Sequence, residues 1–181
     1  NDSLMTQVVN YYEGKRDKEK IFKAYYYLGR IQYNAGNYAT SMLSYTKAEQ
    51  LIDEIDDDFI KGLLYAQLGM LHQKYYDYPK SLEYYSTART YYESAGAISH
   101  KYFSQLNIGQ LYLEIKDYLP SEETLSDLIT WAYNNQQYIL CEYAINLLIT
   151  LYDETDQKDK SITLLMSEFA HICKGSLPII H

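Results

Sequence analysis

A 40-residue interval organises this chain. The stretch from Ala24 to Ala48, AYYYLGRIQYNAGNYATSMLSYTKA, returns in register at Leu64 to Ala88, LYAQLGMLHQKYYDYPKSLEYYSTA. It returns more faintly from Ser104 to Leu128. Gly29, Gly69 and Gly109 share one column, Ser41, Ser81, Ser121 and Ser161 a second, and Leu28, Leu68, Ile108 and Leu148 a third. Self-similarity at such a period marks a solenoid, in which each unit buries its apolar face only against its neighbours.

Each copy holds two helical patterns. Tyr25, Leu28, Ile31 and Gln32 follow the i, i+3, i+4 rule, Ala35-Gly36-Asn37 interrupts it, and Tyr38, Met42, Tyr45 and Ala48 resume it. A glycine costs a helix about 1 kcal/mol relative to alanine. Three in register therefore predict close helix contact. Asp77 and Asp117 stand where N-caps belong, Pro79 and Pro120 suit a helix entrance, and Ala95-Gly96 suits a left-handed helix end. The pattern predicts an all-α chain with helix starts near about residues 3, 17, 38, 57, 78, 98, 118, 137 and 158.

These residues resemble the tetratricopeptide repeat (TPR). Its aromatic, Leu-Gly, Gly-Asp/Asn-Tyr, Ala, Tyr and Ala signature is met by Tyr25, Leu28-Gly29, Gly36-Asn37-Tyr38, Ser41, Tyr45 and Ala48. Tyr65, Leu68-Gly69, Asp77-Tyr78, Ser81, Tyr85 and Ala88 meet it again. The third copy keeps Gly109, Asp117-Tyr118 and Ser121 but has Gln105, Leu125 and Leu128 elsewhere in the signature, and the fourth carries Ile149 in the glycine column. The resemblance implies a right-handed superhelical solenoid of helical hairpins. The family's usual period is about 34 residues, so this chain's hairpins should be longer. Its expected organisation is one array: residues 1–14 as the second helix of a preceding repeat, then repeats over 15–56, 57–97 and 98–136, a degenerate repeat over 137–174 and a tail over 175–181. The chain opens on Asn1, with neither initiator Met nor signal segment, and reads as cut from a larger array.

Composition narrows the function classes. The net charge is −8 and no segment is strongly basic, which argues against nucleic acid as a partner of this region. Mean hydropathy is −0.40, and no apolar run nears the roughly 20 residues that span a bilayer, so no membrane insertion is expected. The 23 tyrosines fall largely in signature columns and read chiefly as core. The acidic run Asp53-Glu54-Ile55-Asp56-Asp57-Asp58 lacks the glycine and glutamate of a calcium loop, because Asp58 and Leu64 hold those places. It suits instead the start of the next helix. No nucleophile elbow, phosphate loop, HExxH or paired-cysteine motif is present, and His72, His100, His171 and His181 lie far apart. We therefore expect no catalytic residues, no metal and no cofactor. Cys141 and Cys173 are equidistant from Gln157, so a hairpin centred there would bring them level; whether they bond is left to facing side and compartment.

Recognition is what remains. Resemblance to the family places inward-facing, concave-surface columns at Tyr26, Tyr27, Arg30, Tyr33 and Asn34, then Gln67, Met70, Gln73 and Lys74, then Asn107, Gln110 and Glu114, then Asn146 and Thr150. The ligand-binding candidates are Tyr26, Arg30, Tyr33, Asn34, Gln67, Met70, Gln73, Lys74, Asn107 and Gln110, facing a protein or peptide in the groove. The family's carboxylate clamp is not matched, since Tyr26, Arg30, Gln67, Phe103 and Asn107 supply a single cation at its places. The run from Asn1 through Arg30 also resembles sensor arrays of bacterial regulators, in which a TPR array precedes a membrane segment and a transcriptional-regulator or histidine-kinase output. That resemblance implies a sensory or scaffolding module outside the cytoplasmic membrane, facing the periplasm. Two alternatives stay open: a self-association module forming a homodimer, and a cytoplasmic adaptor bridging two proteins.

Overall fold

The computed structural model describes the backbone of residues 2–175 and the side chains of residues 3–167. The described residues are all-α. Nine α-helices run in order: α1 (Asp2–Lys15), α2 (Lys18–Asn34), α3 (Tyr38–Glu49), α4 (Asp58–Lys74), α5 (Tyr78–Ser94), α6 (Ile98–Glu114), α7 (Tyr118–Asn134), α8 (Tyr138–Glu154) and α9 (Lys158–Gly175). Every start lies within one residue of its expected place. The chain divides into two compact units, Asn1–Ser104 and Gln105–His181, with the division inside α6. The tail after Gly175 and the side chains of Cys173, His171 and His181 lie outside the described residues, and with them the Cys141–Cys173 pairing. Cys141 itself is buried.

The turns repeat every 20 residues. Arg16, Gly36, Tyr76, Gly96, Lys116, Gln136 and Asp156 all have φ between +54° and +78°. Around Gly36, the amide of Gly36 donates to the Tyr33 carbonyl and that of Asn37 to the Gln32 carbonyl, which closes the helix end and starts the next helix one residue later. The same pair recurs at Tyr76 and Asp77, Gly96 and Ala97, Lys116 and Asp117, Gln136 and Gln137, and Asp156 and Gln157. Five of the seven left-handed residues carry a β-carbon, which disfavours that conformation by roughly 1–2 kcal/mol. Lys116→Gly is therefore expected to stabilise by about 0.5–1 kcal/mol, and Lys116→Val to destabilise by a similar amount. Denaturant titration of both variants checks the opposite signs.

The glycine column marks contact, as expected. A β-carbon on Gly29 would stand 2.5 Å from the Tyr45 ring, one on Gly69 2.8 Å from the Tyr85 ring, and one on Gly109 2.7 Å from Leu125. The serine column explains itself only in three dimensions. The hydroxyls of Ser41, Ser81 and Ser121 donate to the carbonyls of Gly29, Gly69 and Gly109 at 2.8, 2.9 and 2.9 Å. Each hairpin is thus pinned where it is narrowest, and each buried serine is satisfied.

One hairpin departs from the pattern. α3 has 12 residues where α2 and α4 to α8 have 17, and it gives way to a 3-10 turn, Ile52–Glu54. Two causes act together. Continuing α3 would collect Asp53, Glu54 and Asp56 at its negative C-terminus, whereas unwinding places them ahead of α4. The Asp57 carboxylate then caps α4 by accepting from the Ile60 amide at 3.1 Å. Packing adds the second cause. In the next repeat Tyr92 fits over Gly62, where a β-carbon would be 2.8 Å from its ring. Forty residues earlier, fully buried Phe22 fills the glycine's place and Ile52 stands in for the tyrosine. Ile55, 2% exposed, closes the core as the chain leaves α3.

Two local expectations are corrected. Asp77 does not cap α5 through its side chain; its carboxylate pairs with His72 Nδ1 at 3.0 Å instead. Asp117 likewise makes no side-chain cap bond. The tyrosines also divide more evenly than expected: six are buried, among them Tyr45 and Tyr85, while seven are exposed, among them Tyr27, Tyr76 and Tyr138.

Candidate functional site

In the first unit, the candidate residues lie on α2 and α4. On α2 the period of 3.6 places Tyr26, Arg30, Tyr33 and Asn34 along one stripe. Arg30 and Asn34 are exposed and Tyr33 is half-buried. Tyr26 differs from its expected role. It is 4% exposed, packed against Tyr27 at 5.2 Å and Tyr45 at 6.1 Å between ring centroids. Its ring is a floor under Arg30, whose guanidinium lies 5.9 Å above it, and not an open anchor. Burial pushes the Tyr26 hydroxyl up from its ordinary value, with Arg30 opposing that shift. The neighbouring Tyr27, 50% exposed, offers the ring that Tyr26 withholds.

On α4, Gln67, Met70 and Gln73 are half-buried and Lys74 is exposed. Tyrosine hydroxyls hold both glutamines. Tyr45 of α3 donates to Gln67 Oε1 at 3.0 Å, and Tyr85 of α5 donates to Gln73 Oε1 at 3.0 Å. With its oxygen engaged by Tyr45, what the Gln67 amide has to offer is an N–H donor. Arg30, Tyr26, Tyr45 and Gln67 thus form a contact chain from α2 through α3 to α4. Tyr45 was not among the candidates because its column reads as core. Only the hydrogen bond reveals that it also orients Gln67.

The second unit carries Asn107 and Gln110 on its own stretch of α6, both half-buried. Gln110 Nε2 donates to Glu114 Oε1 at 2.8 Å. Asn146 and Thr150 on α8 are exposed, and the Thr150 hydroxyl returns to the Asn146 carbonyl at 2.9 Å.

Two clefts of the first unit lie elsewhere. One, of about 560 Å³, opens between α1, α2 and the end of α3, and includes Arg16, Lys18, Tyr25 and Lys47. The other, of about 640 Å³, is acidic, with Glu19, Glu54, Asp56, Asp57 and Asp58 around Ile55 and Phe59. No group of three or more metal-ligating side chains is found among the described residues. No helix among them is long and apolar enough to cross a membrane. His72 is half-buried between Asp77 and the Tyr84 ring, 5.1 Å away between centroids, which is a structural setting.

No family model matches the sequence, and no curated protein matches it. Solved structures do match. The chain is similar to a putative kinesin light chain with nearly identical TPR-like repeats from Podospora anserina, at TM-score 0.78 and 13% identity over 98% of this chain and 88% of that one. It is similar to BtubC (BKLC) from P. vanneervenii, at TM-score 0.72 and 13% identity over 90% and 68% of the two chains. It is also similar to a signal transduction ATPase with numerous domains (STAND) from Pyrococcus horikoshii, a protein with a tetratricopeptide repeat sensor. There the TM-score is 0.77 and the identity 20%, over 91% of this chain and 25% of that one. The fold is a TPR-like all-α repeat fold, an architecture that presents extended surfaces for binding.

Proposed function

We propose that this chain is a non-catalytic protein-binding module, the sensory or scaffolding region of a bacterial signalling or transcription-regulator protein. The observation that carries the binding role is the ordered chemistry of the α2–α4 face. It offers Arg30 on an aromatic floor, half-buried Tyr33 and Met70, and an oriented Gln67 donor. Aromatic and methionine side chains give adaptable apolar contact, while the cation and the amide fix direction. An extended peptide with an apolar side chain and a carboxylate suits that face. Asn34, Gln73 and Lys74 border it, and Asn107 and Gln110 offer similar amide chemistry within the second unit. The sensory role draws support from the resemblance of residues 1–30 to membrane-anchored bacterial sensor arrays, which also favours a periplasmic setting. The TPR sensor of the Pyrococcus protein is a second support.

Calorimetric titration of a partner isolated on this chain tests the assignment. Tyr33→Ala and Arg30→Ala are each expected to cost about 1–2 kcal/mol of binding, and Glu83→Ala on α5 almost nothing. Parental affinity in both α2 variants and in Gln67→Ala would remove this face from the interface.

One observation favours self-association as a second reading. Within the second unit, Tyr138, Ile139, Tyr143, Ile162 and Met166 on α8 and α9 are each more than half exposed. Apolar residues in such number mark interaction surfaces. Light scattering across concentration should show a dimer that Ile139→Glu and Met166→Glu disperse; a monomer at all concentrations rejects it.

A further inference from the structure

The cleft between α1, α2 and α3 exists because α3 unwinds, and the next repeat shows what such a place holds. Forty residues on from Tyr25, Ile21 and Leu51 stand Tyr65, Lys61 and Tyr91. There the rings of Tyr65 and Tyr91 stack at 5.5 Å with planes 3° apart, and the Lys61 ammonium lies 5.4 Å over Tyr91. The full-length α5 delivers that tyrosine. In the earlier repeat α3 stops at Glu49, and Leu51 reaches the position on an irregular backbone with a smaller side chain. Tyr25, Ile21 and Leu51 are left lining about 560 Å³ of open space. That volume falls in the range of clefts that hold small ligands, about 300–1,000 Å³.

The charges around the two places differ: two of three matched positions change from acid to base, and the third is acidic in both. In the second repeat the matching positions are Asp53, Asp56 and Asp58; around the cleft they are Glu13, Arg16 and Lys18. Glu13 is engaged by the Tyr25 hydroxyl, which donates to it at 2.5 Å. Lys18 is shared with Glu54. Lys47 lies 5.0 Å over the Tyr25 ring, with its ammonium 3.3 Å from the hydroxyl. Arg16, Lys18 and Lys47 therefore make this a cationic cleft on a chain of net charge −8.

We propose that the cleft binds an acidic peptide segment of a partner protein. Its aromatic side chain packs on Tyr25, Ile21 and Leu51, in the place that Tyr91 takes on Tyr65. A carboxylate beside that ring meets Lys47 and Arg16, the pairing of charge-assisted hydrogen bonds at the edge of an apolar floor. The site is separate from the α2–α4 face and stands or falls independently of it.

The test uses a capped nine-residue peptide with one tryptophan between aspartates, titrated into the whole chain by calorimetry. Saturable binding is expected, weakened at least about tenfold by Lys47→Glu and by replacement of the peptide's tryptophan with alanine. Ile21→Trp, which fills the cleft from within, should abolish it while circular dichroism shows the helices retained. Tyr33→Ala should leave it unchanged. The proposal is overturned if no saturable binding occurs, or if a peptide with lysines in place of the aspartates binds equally. It is overturned too if free aspartate competes as well as the peptide, if Lys47→Glu binds as the parent does, or if Tyr33→Ala alone abolishes binding.

Discussion

Leucine in place of Gly69 is expected to destabilise the chain by about 2–4 kcal/mol, with overpacking supplying most of the loss. The β-carbon alone would stand 2.8 Å from Cδ1 of Tyr85, a ring that is 2% exposed and tethered through its hydroxyl to Gln73. The ring cannot swing away, so α4 and α5 must separate. Separation also stretches the 2.9 Å bond from the Ser81 hydroxyl to the Gly69 carbonyl, worth about 0.5–1.5 kcal/mol. Gly14 gives the control. A β-carbon there meets nothing within 4 Å, so Gly14→Leu gains helix propensity and loses no contact. Thermal and denaturant melts of the two variants should move in opposite directions. A Gly69→Leu melt that matches the parent would leave the glycine column without its packing explanation.

The same geometry shows how far the sequence could be read. Helix positions were legible because the 3.6-residue period, the glycine column and the turn residues all agree along the chain. Of the left-handed residues the sequence marked Gly96 as such, and Gly36 only as a helix break. Arg16, Tyr76, Lys116, Gln136 and Asp156 adopt the same conformation with no compositional mark, because the hairpin on either side imposes it. The early end of α3 was hidden for another reason. The acidic run after it was a local signal for a new helix start, but the second cause is a long-range exchange, Phe22 and Ile52 where the next repeat has Gly62 and Tyr92, which no local signal reports. At the candidate face, the α2 residues followed from the resemblance to the repeat family, which places both Tyr26 and Tyr27 inward. They are adjacent and chemically identical, and only packing decides which ring is buried.

The fourth hairpin carries the point further. Ile149 replaces glycine there, and Leu165 stands in the column of Tyr45, Tyr85 and Leu125. Those three are at most 2% exposed, whereas Leu165 is 46% exposed. Tyr45 is also covered by the helix that follows its hairpin, reaching Gln67 of α4, whereas no described helix follows α9. Ser161 nevertheless stays buried in its column, as Ser41, Ser81 and Ser121 do.

Alkaline pH is expected to unfold the chain steeply, and the tyrosines are the reason. Burial pushes the hydroxyls of Tyr45 and Tyr92 strongly upward. Tyr65 and Tyr84 are raised to about 12, first by burial and then by the nearby Glu49 carboxylate. Tyr152 is raised to about 12 by burial and by its bond to Glu122. In each case the folded protein holds the proton more tightly than the unfolded chain, whose tyrosines ionise near about pH 10. Their contribution to stability is therefore complete below about pH 10 and is lost as pH rises through the folded values. The loss approaches about 1.4 kcal/mol per pH unit for each wholly buried tyrosine. Tyr45 and Tyr92, 0% and 3% exposed, would together remove about 5 kcal/mol between about pH 10 and 12, comparable to the whole stability of a marginal domain. Phenolate absorbance should accordingly rise as a cooperative step that coincides with loss of helix. Tyr45→Phe separates this from general alkaline damage. At neutral pH it should lose about 1 kcal/mol with its bond to Gln67, yet above about pH 11 it should be the more stable protein. Phenolate appearing gradually, with helix content unchanged and no crossing of the two stability curves, would show that the tyrosine layer is open to hydroxide without unfolding.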